Sequence, residues 1–216
     1  MHDGNQIAIQ LSWADPKKDA SAVTPQSFSD GAAIQISSEK DPPFFGMGGL
    51  GNPVTIWNWK AAWQEDLKSR ADIDTHYPNA VVDWYESQRT YQHGSEFEAS
   101  QSRTSFHDPL FLTAWGAGNP LADPERKLAA EEAQAKGFGT LTTTRPPLEQ
   151  VDAQGVWTDG RWSVVFHRAL RPSDKGRIQL KPGAGVSIAF AVWDGAEGDR
   201  NGQKMVSIWN ELVLEQ

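Results

Sequence analysis

No cysteine occurs among the 216 residues. Disulfides, thiolate-bound zinc, iron–sulfur clusters and thiol catalysis are therefore excluded from this chain. Positive charge is also scarce. Twenty Lys and Arg stand against 28 Asp and Glu, a net charge of −8, whereas nucleic acids and anionic membranes are bound by basic faces. No apolar run approaches the roughly 20 residues that a transmembrane helix needs. The longest, Val186 to Trp193, has the length of a strand. Met1-His2-Asp3-Gly4 carries neither a basic region nor an apolar leader, so the expectation is either no export on a signal of its own or a sequence already processed or truncated. The five histidines (His2, His76, His93, His107, His167) include no pair at metal-ligand spacing. There is no Gly-x-Ser-x-Gly nucleophile elbow. Gly46-Met-Gly-Gly-Leu-Gly51 matches a phosphate loop in glycine content only, and Pro53 follows where a helix should start.

What is present is an ordinary globular composition, 38% hydrophobic with 19 glycines, arranged mostly as strands. Ile7, Ile9, Leu11 and Trp13 alternate with polar residues and define a half-buried strand over 6–13. Ala32 to Ile36 and Val54 to Trp59 are two more. Between them, Asp41 to Pro53 holds three Pro and four Gly in 13 residues and must be a loop. Arg161 to Leu170 alternates Trp162, Val164 and Phe166 with Val165 and His167. Val186 to Trp193 is nearly continuously apolar, as expected of a strand covered on both faces, and Met205 to Leu214 reads as the last strand. The stretch from about 62 to 147 is polar and turn-rich, and reads as a long insertion. Its clearest signal is a helix with Asp123 as N-cap, Pro124 at the first position, an Ala/Glu/Lys-rich body and Gly137 as the stop. Tyr77 to Trp84 is a further candidate strand. The pattern predicts a mainly β protein, an antiparallel β-sandwich with a long, partly helical insertion.

Few residues suggest chemistry by themselves. Ten tryptophans suit either a packed core or an aromatic platform for a sugar or a planar cofactor. The acidic loop Asp194 to Gly202 contains Asp199-x-Asn201-Gly202, a fragment of a Ca²⁺ loop. It lacks the downstream Glu, and reads as a turn between strands. Met47 is an isolated thioether in the Gly-rich loop beside Phe44 and Phe45, and Lys204 opens the last strand. A thioether is a soft ligand for iron, and an amine is a ligand once neutral.

At these residues the chain resembles the haem b-binding γ subunits of ethylbenzene dehydrogenase type, found with molybdenum enzymes of the type II dimethyl sulfoxide reductase family. The matching stretches are His2 to Trp13, Phe28 to Gly31, Met47 to Ala61, Ala117 to Pro120, Gly155 to Phe166 and Ile188 to Lys204. The blocks Met47-Gly…Pro53-Val54…Trp57-x-Trp59-Lys60-Ala61 and Phe190-Ala-Val-Trp-Asp-Gly195…Gly202-x-Lys204 carry most of the likeness. The resemblance implies one sandwich domain over residues 1–216, with the insertion at about 62–147, holding one non-covalent haem b. Its implied axial ligands are Met47 and Lys204. Phe44, Phe45, Trp57 and Trp59 flank Met47 and would line the porphyrin slot, and Lys60, Arg161 and Arg168 are candidates for the propionates. The implied role is non-catalytic: relaying electrons between an iron–sulfur β subunit, wired to a molybdenum α subunit, and a carrier such as cytochrome c. The implied location is the periplasm, reached with a partner that carries the signal. The competing readings are a carbohydrate-binding β-sandwich, prompted by the tryptophans, and a stand-alone haem b carrier or sensor.

Overall fold

The computed structural model describes residues 1–39, 41–43, 46–71, 73–79, 126–144 and 151–216. They fall into two units: 1–69 with 128–216, and 70–127. In the second unit the described structure is one short helix, α2 (Ile73–His76). The first unit holds helix α1 (Ala61–Asp66) and two antiparallel sheets. None of the described helices is long and apolar enough to cross a membrane.

The smaller sheet consists of β1 (Gln6–Ala14), β7 (Arg161–Ala169) and β6 (Asp152–Thr158), with β7 in the middle. The larger sheet contains β2 (Gly31–Ser37), β3 (Val54–Lys60), β4 (Ala130–Ala135), β5 (Thr142–Thr143), β8 (Gly185–Trp193) and β10 (Asn210–Val213), with β9 (Met205–Val206) paired to β8. Its order is β10-β8-β2-β3-β4-β5. The expected final strand is thus two short strands separated by a non-strand stretch that includes Trp209.

Alternation puts one face of each sheet into a shared core. Ile7, Trp162, Val164 and Phe166 from the small sheet meet Ala32, Ile34, Ile36, Trp57 and Trp59 from the large one. Trp59 packs edge-on against Trp162 (centroids 4.9 Å apart) and Trp13 (6.4 Å). The Trp162 indole donates to Asp30 Oδ2 at 3.0 Å, joining the sheets through a buried hydrogen bond. Strand β6 comes so close to Trp59 that a Cβ on Gly155 would lie 2.5 Å from Cζ2 of that indole. Gly155→Ala is therefore expected to destabilise the chain by about 1–3 kcal/mol through overpacking, which a lowered urea midpoint with an unchanged m-value would report.

The helix expected around 123–136 is absent where the chain is described. Asp123 to Glu125 lie outside the described residues, whereas Ala130–Ala135 is strand β4, paired to β3 from Trp59↔Ala130 to Val54↔Ala135. Gly137, at φ 130°, sits in the turn to β5 rather than at a helix end. Ala-Glu-Glu-Ala-Gln-Ala has strong helix propensity, but tertiary burial overrides it. The side chain of Glu132, 0% exposed, meets Arg168 Nη1 at 2.9 Å and Arg177 Nε at 2.8 Å. Of the candidate strand Tyr77 to Trp84, Tyr77 to Asn79 is non-strand, and the remainder lies outside the described residues. Strand β6 gave no signal of its own in the hydropathy pattern.

Candidate cofactor site

The outer face of the large sheet carries a second apolar cluster. Ala33, Val54, Ile56 and Ala135 are buried there, with Met47, Ala191, Trp193 and Trp209 packed on them. Strand register explains the grouping. Ala33 faces Ala191 across β2 and β8, Gly31 faces Trp193, and Val54 faces Ala135. Small side chains at Ala33, Ala135 and Ala191 leave a low floor, on which a flat ring can approach the sheet.

Met47 reaches this face from the Gly-rich loop. Its φ of 60° lies in the left-handed region, between Gly46 at 119° and Gly48 at 72°. That conformation costs a non-glycine residue about 1–2 kcal/mol, so the surroundings must enforce it. They do so at both ends: Met47 N–H donates to Gln35 Oε1 (3.3 Å), and its carbonyl accepts from Gly137 N–H (2.7 Å). A Cβ on Gly48 would stand 2.7 Å from the Ala135 carbonyl oxygen, so the loop lies directly on the end of β4.

Lys204 comes to the same face from the other side. Met205 pairs with Val192 in the β8–β9 register, and one step further Lys204 stands beside Trp193. Its Nζ lies 5.2 Å from the Trp193 ring centroid and donates to the Asn201 carbonyl at 3.2 Å. That carbonyl also accepts the Trp193 indole N–H at 3.2 Å. Burial pushes the Lys204 amine below its usual pKa, which favours the neutral form that can bind a metal. The two flanking segments are tied together: Trp209 Nε1 donates to the Pro43 carbonyl at 2.8 Å.

The other candidates fall elsewhere. Trp57 and Trp59 occupy alternate positions to Val54 and Ile56 on β3, so they point into the core between the sheets, fully buried and away from Met47. Phe44 and Phe45 lie outside the described residues. Arg168 is buried with Glu132 in the core, and Arg161 sits on β7, within 3.4 Å of Ser12 Oγ. Lys60 alone of the three propionate candidates shares the outer face, in register with Gly31. His167 is exposed on the outer side of the small sheet. The sequence reading missed Trp193, Trp209 and the alanine floor. Ala189 and Ala191 alternating with Ile188 and Phe190 were the available signal, small residues on one side of β8.

Lys60 Nζ binds Glu131 Oε1 at 3.0 Å, and Asn58 and Thr143 also donate to that carboxylate. Burial raises the Glu131 carboxyl, but Lys60 and these donors outweigh it and hold the pKa below the usual value. Because the folded value is the lower one, this contribution is present above the unfolded pKa and lost as pH falls. Glu131→Gln is expected to lower stability at neutral pH by about 1 kcal/mol and to shrink the loss on acidification, read from urea midpoints across the acid range.

Comparison with known proteins matches residues 1–205 to the model of the ethylbenzene dehydrogenase family. The chain belongs to that family. Among curated relatives, a Haloferax mediterranei protein assigned as a respiratory nitrate reductase heme subunit is 27% identical over 206 residues, 94% of this chain and 50% of its own length. The chlorate reductase subunit gamma of Ideonella dechloratans is 38% identical over 79 residues, 36% of this chain and 32% of its own. The dimethylsulfide dehydrogenase subunit gamma of Rhodovulum sulfidophilum is 23% identical over 201 residues, 93% of this chain and 52% of its own. This family member spans about half the length of the two relatives that cover most of it.

As a member of the ethylbenzene dehydrogenase family, the chain places its described tryptophans in support of structure. Trp57, Trp59, Trp63 and Trp162 are buried, and Trp13, Trp157, Trp193 and Trp209 are half-buried. Among the described residues no tryptophan is exposed.

Proposed function

We propose that this chain is a haem b electron-transfer subunit, with Met47 and Lys204 as the axial ligands. The observation that carries the reading is the convergence of a thioether and a desolvated amine on one alanine-floored sheet face, on two segments fastened by Trp209 and Pro43. Names given to relatives, a heme subunit and two gamma subunits of oxidoreductases, support it.

Haem bound there would supply a one-electron couple. The residues of the chain supply the rest. Met47 offers sulfur, a ligand that favours the reduced iron and raises the potential. Lys204 offers nitrogen, and its burial lowers the cost of shedding the proton. Trp193 closes the site beside Lys204 and holds that side chain through the shared Asn201 carbonyl. Were Met47 and Lys204 both to hold the iron, the group would supply electron transfer only, and the chain would perform no chemistry on substrate itself. It passes electrons between an iron–sulfur subunit, next to a molybdenum catalytic subunit, and a carrier such as cytochrome c, and the setting is periplasmic.

The test is the absorption spectrum of the purified chain, oxidised and dithionite-reduced, with a pyridine haemochromogen assay. Sharp low-spin bands and about one b-type haem per chain are expected. A colourless chain that takes up no added haemin would sink the proposal. Reduced chain mixed with oxidised cytochrome c would test the carrier, because electron transfer bleaches one spectrum as the other develops.

A further inference from the structure

We propose that Asp15, Asp30 and Asp194 form a Ca²⁺ site that fastens the ends of β1, β2 and β8 together at the root of the loop leading to Lys204. One carboxylate oxygen from each of the three lies within 4.8 Å of the others. Ligands of one Ca²⁺, each about 2.4 Å from it, stand at most about 4.8 Å apart, so the three oxygens fit within one coordination sphere. The donors are all hard oxygens, with no nitrogen or sulfur in the cluster, as suits Ca²⁺ rather than zinc or copper.

A second observation comes from Asp15. Its side chain is 1% exposed, and Oδ2 is buried with no hydrogen-bond partner. The Trp13 indole N–H lies close enough to favour the Asp15 charge without completing a hydrogen bond, and is itself left without a partner. Withdrawing a carboxylate oxygen from water without a partner is costly, and a cation at this point would supply that partner.

The other two carboxylates are held in place from behind. Asp30, 0% exposed, accepts from Gly195 N–H at Oδ1 (2.9 Å) and from Asp19 N–H and the Trp162 indole at Oδ2 (2.7 and 3.0 Å). Asp194 Oδ1 accepts from Ala196 and Glu197 N–H (2.9 and 3.3 Å). Asp30 Oδ1, with one donor, and Asp194 Oδ2 retain lone pairs for a metal. Asp19 adds a fourth carboxylate beside them; its Oδ1 pairs with the exposed Lys17, and its Oδ2 is buried and unpartnered. Burial holds the Asp30 carboxyl up at about 6 and raises Asp15, where Asp194 and Asp19 add like charge. So much negative charge in a low-dielectric place is stabilised by bound cations. The cluster differs from the linear Asp199-x-Asn201-Gly202 fragment: it draws Asp194 from that loop and completes the set from two distant strand ends.

Radiolabelled Ca²⁺ in equilibrium dialysis with the purified, EDTA-treated chain tests this directly, alongside thermal unfolding with and without Ca²⁺. About one Ca²⁺ per chain is expected, and a melting temperature raised by about 5 °C or more at a Ca²⁺ concentration 100-fold above its Kd. Asp15→Asn and Asp194→Asn should each weaken binding at least tenfold, and Glu197→Gln, on the exposed part of the loop, should leave it unchanged. If Asp15→Asn fails to fold, Asp194→Asn at its half-buried position carries the comparison. Two results overturn the site. One is a wild-type chain that neither binds Ca²⁺ nor gains stability from it, together with an Asp15→Asn variant that melts higher whatever the Ca²⁺, as for a merely repulsive carboxylate knot. The other is Ca²⁺ binding that survives in both Asp variants.

Discussion

Glu132→Ala is expected to lower the stability of the chain by about 3–5 kcal/mol, the range seen when one partner of a buried ion pair is removed. Glu132 is central to the buried charge of the core: Arg168 Nη1 is 2.9 Å from Oε2, Arg177 Nε is 2.8 Å from Oε1, and Arg177 Nη2 also reaches Oε2. None of the three side chains is more than 2% exposed. The guanidinium of Arg168 also lies 5.3 Å from the Trp57 ring centroid, so its displacement disturbs the aromatic core. Removing the carboxylate leaves two desolvated cations without the anion both were built around, and neither can neutralise itself by losing a proton. Against a total stability of about 5–15 kcal/mol, that loss unfolds much of the population near body temperature. Urea unfolding followed by tryptophan fluorescence measures it. A loss below about 1 kcal/mol would mean that water reaches the arginines and replaces the carboxylate.

Met47→Ala is expected to leave the fold intact and, on the proposed ligation, to change the spectrum of the haem. The side chain is half-buried on a loop, and the truncation relieves no clash and breaks no hydrogen bond, since Met47 is anchored through backbone atoms. Losing the thioether should turn the low-spin spectrum high-spin, weaken haem retention at least tenfold, and lower the potential by about 100 mV, a fraction of the roughly 0.8 V that axial ligands span. Lys204→Ala should also lose the low-spin bands. Unlike Met47→Ala it removes the proposed nitrogen ligand and leaves the Asn201 carbonyl to the Trp193 indole alone. An unchanged spectrum and potential in either variant would cancel that residue's assignment. His167→Ala serves as the control: from the outer side of the small sheet it should alter neither.

Much of the fold was legible in the sequence, because burial of one sheet face leaves a period-two trace. Ile7, Ile9 and Leu11 marked β1, Ile34 and Ile36 marked β2, and Trp162, Val164 and Phe166 marked β7. Where that trace was interrupted, the reading failed. In Ala130–Ala135 both faces carry Ala or Glu, and local propensity pointed to a helix. In β6 the inward positions include Gly155, whose missing side chain makes room for Trp59 and leaves no hydrophobic mark.

The sequence by itself determined the family. Zero cysteine and no paired histidines narrowed the metal-ligating residues, and the Met47 and Lys204 blocks pointed to a family. Which aromatic rings attend those residues was decided by the tertiary structure alone. Trp57 and Trp59 flank Met47 in sequence, yet strand alternation turns them into the inter-sheet core. Trp193 and Trp209, far along the chain, are delivered to Met47 by the β2–β8 pairing and the Trp209–Pro43 hydrogen bond. The same holds for Asp15, Asp30 and Asp194, which share no motif and meet because three strands end at one place. Proximity along a chain fixes local conformation, but which side of a sheet a residue occupies, and what it meets there, depends on strand pairing across the whole fold.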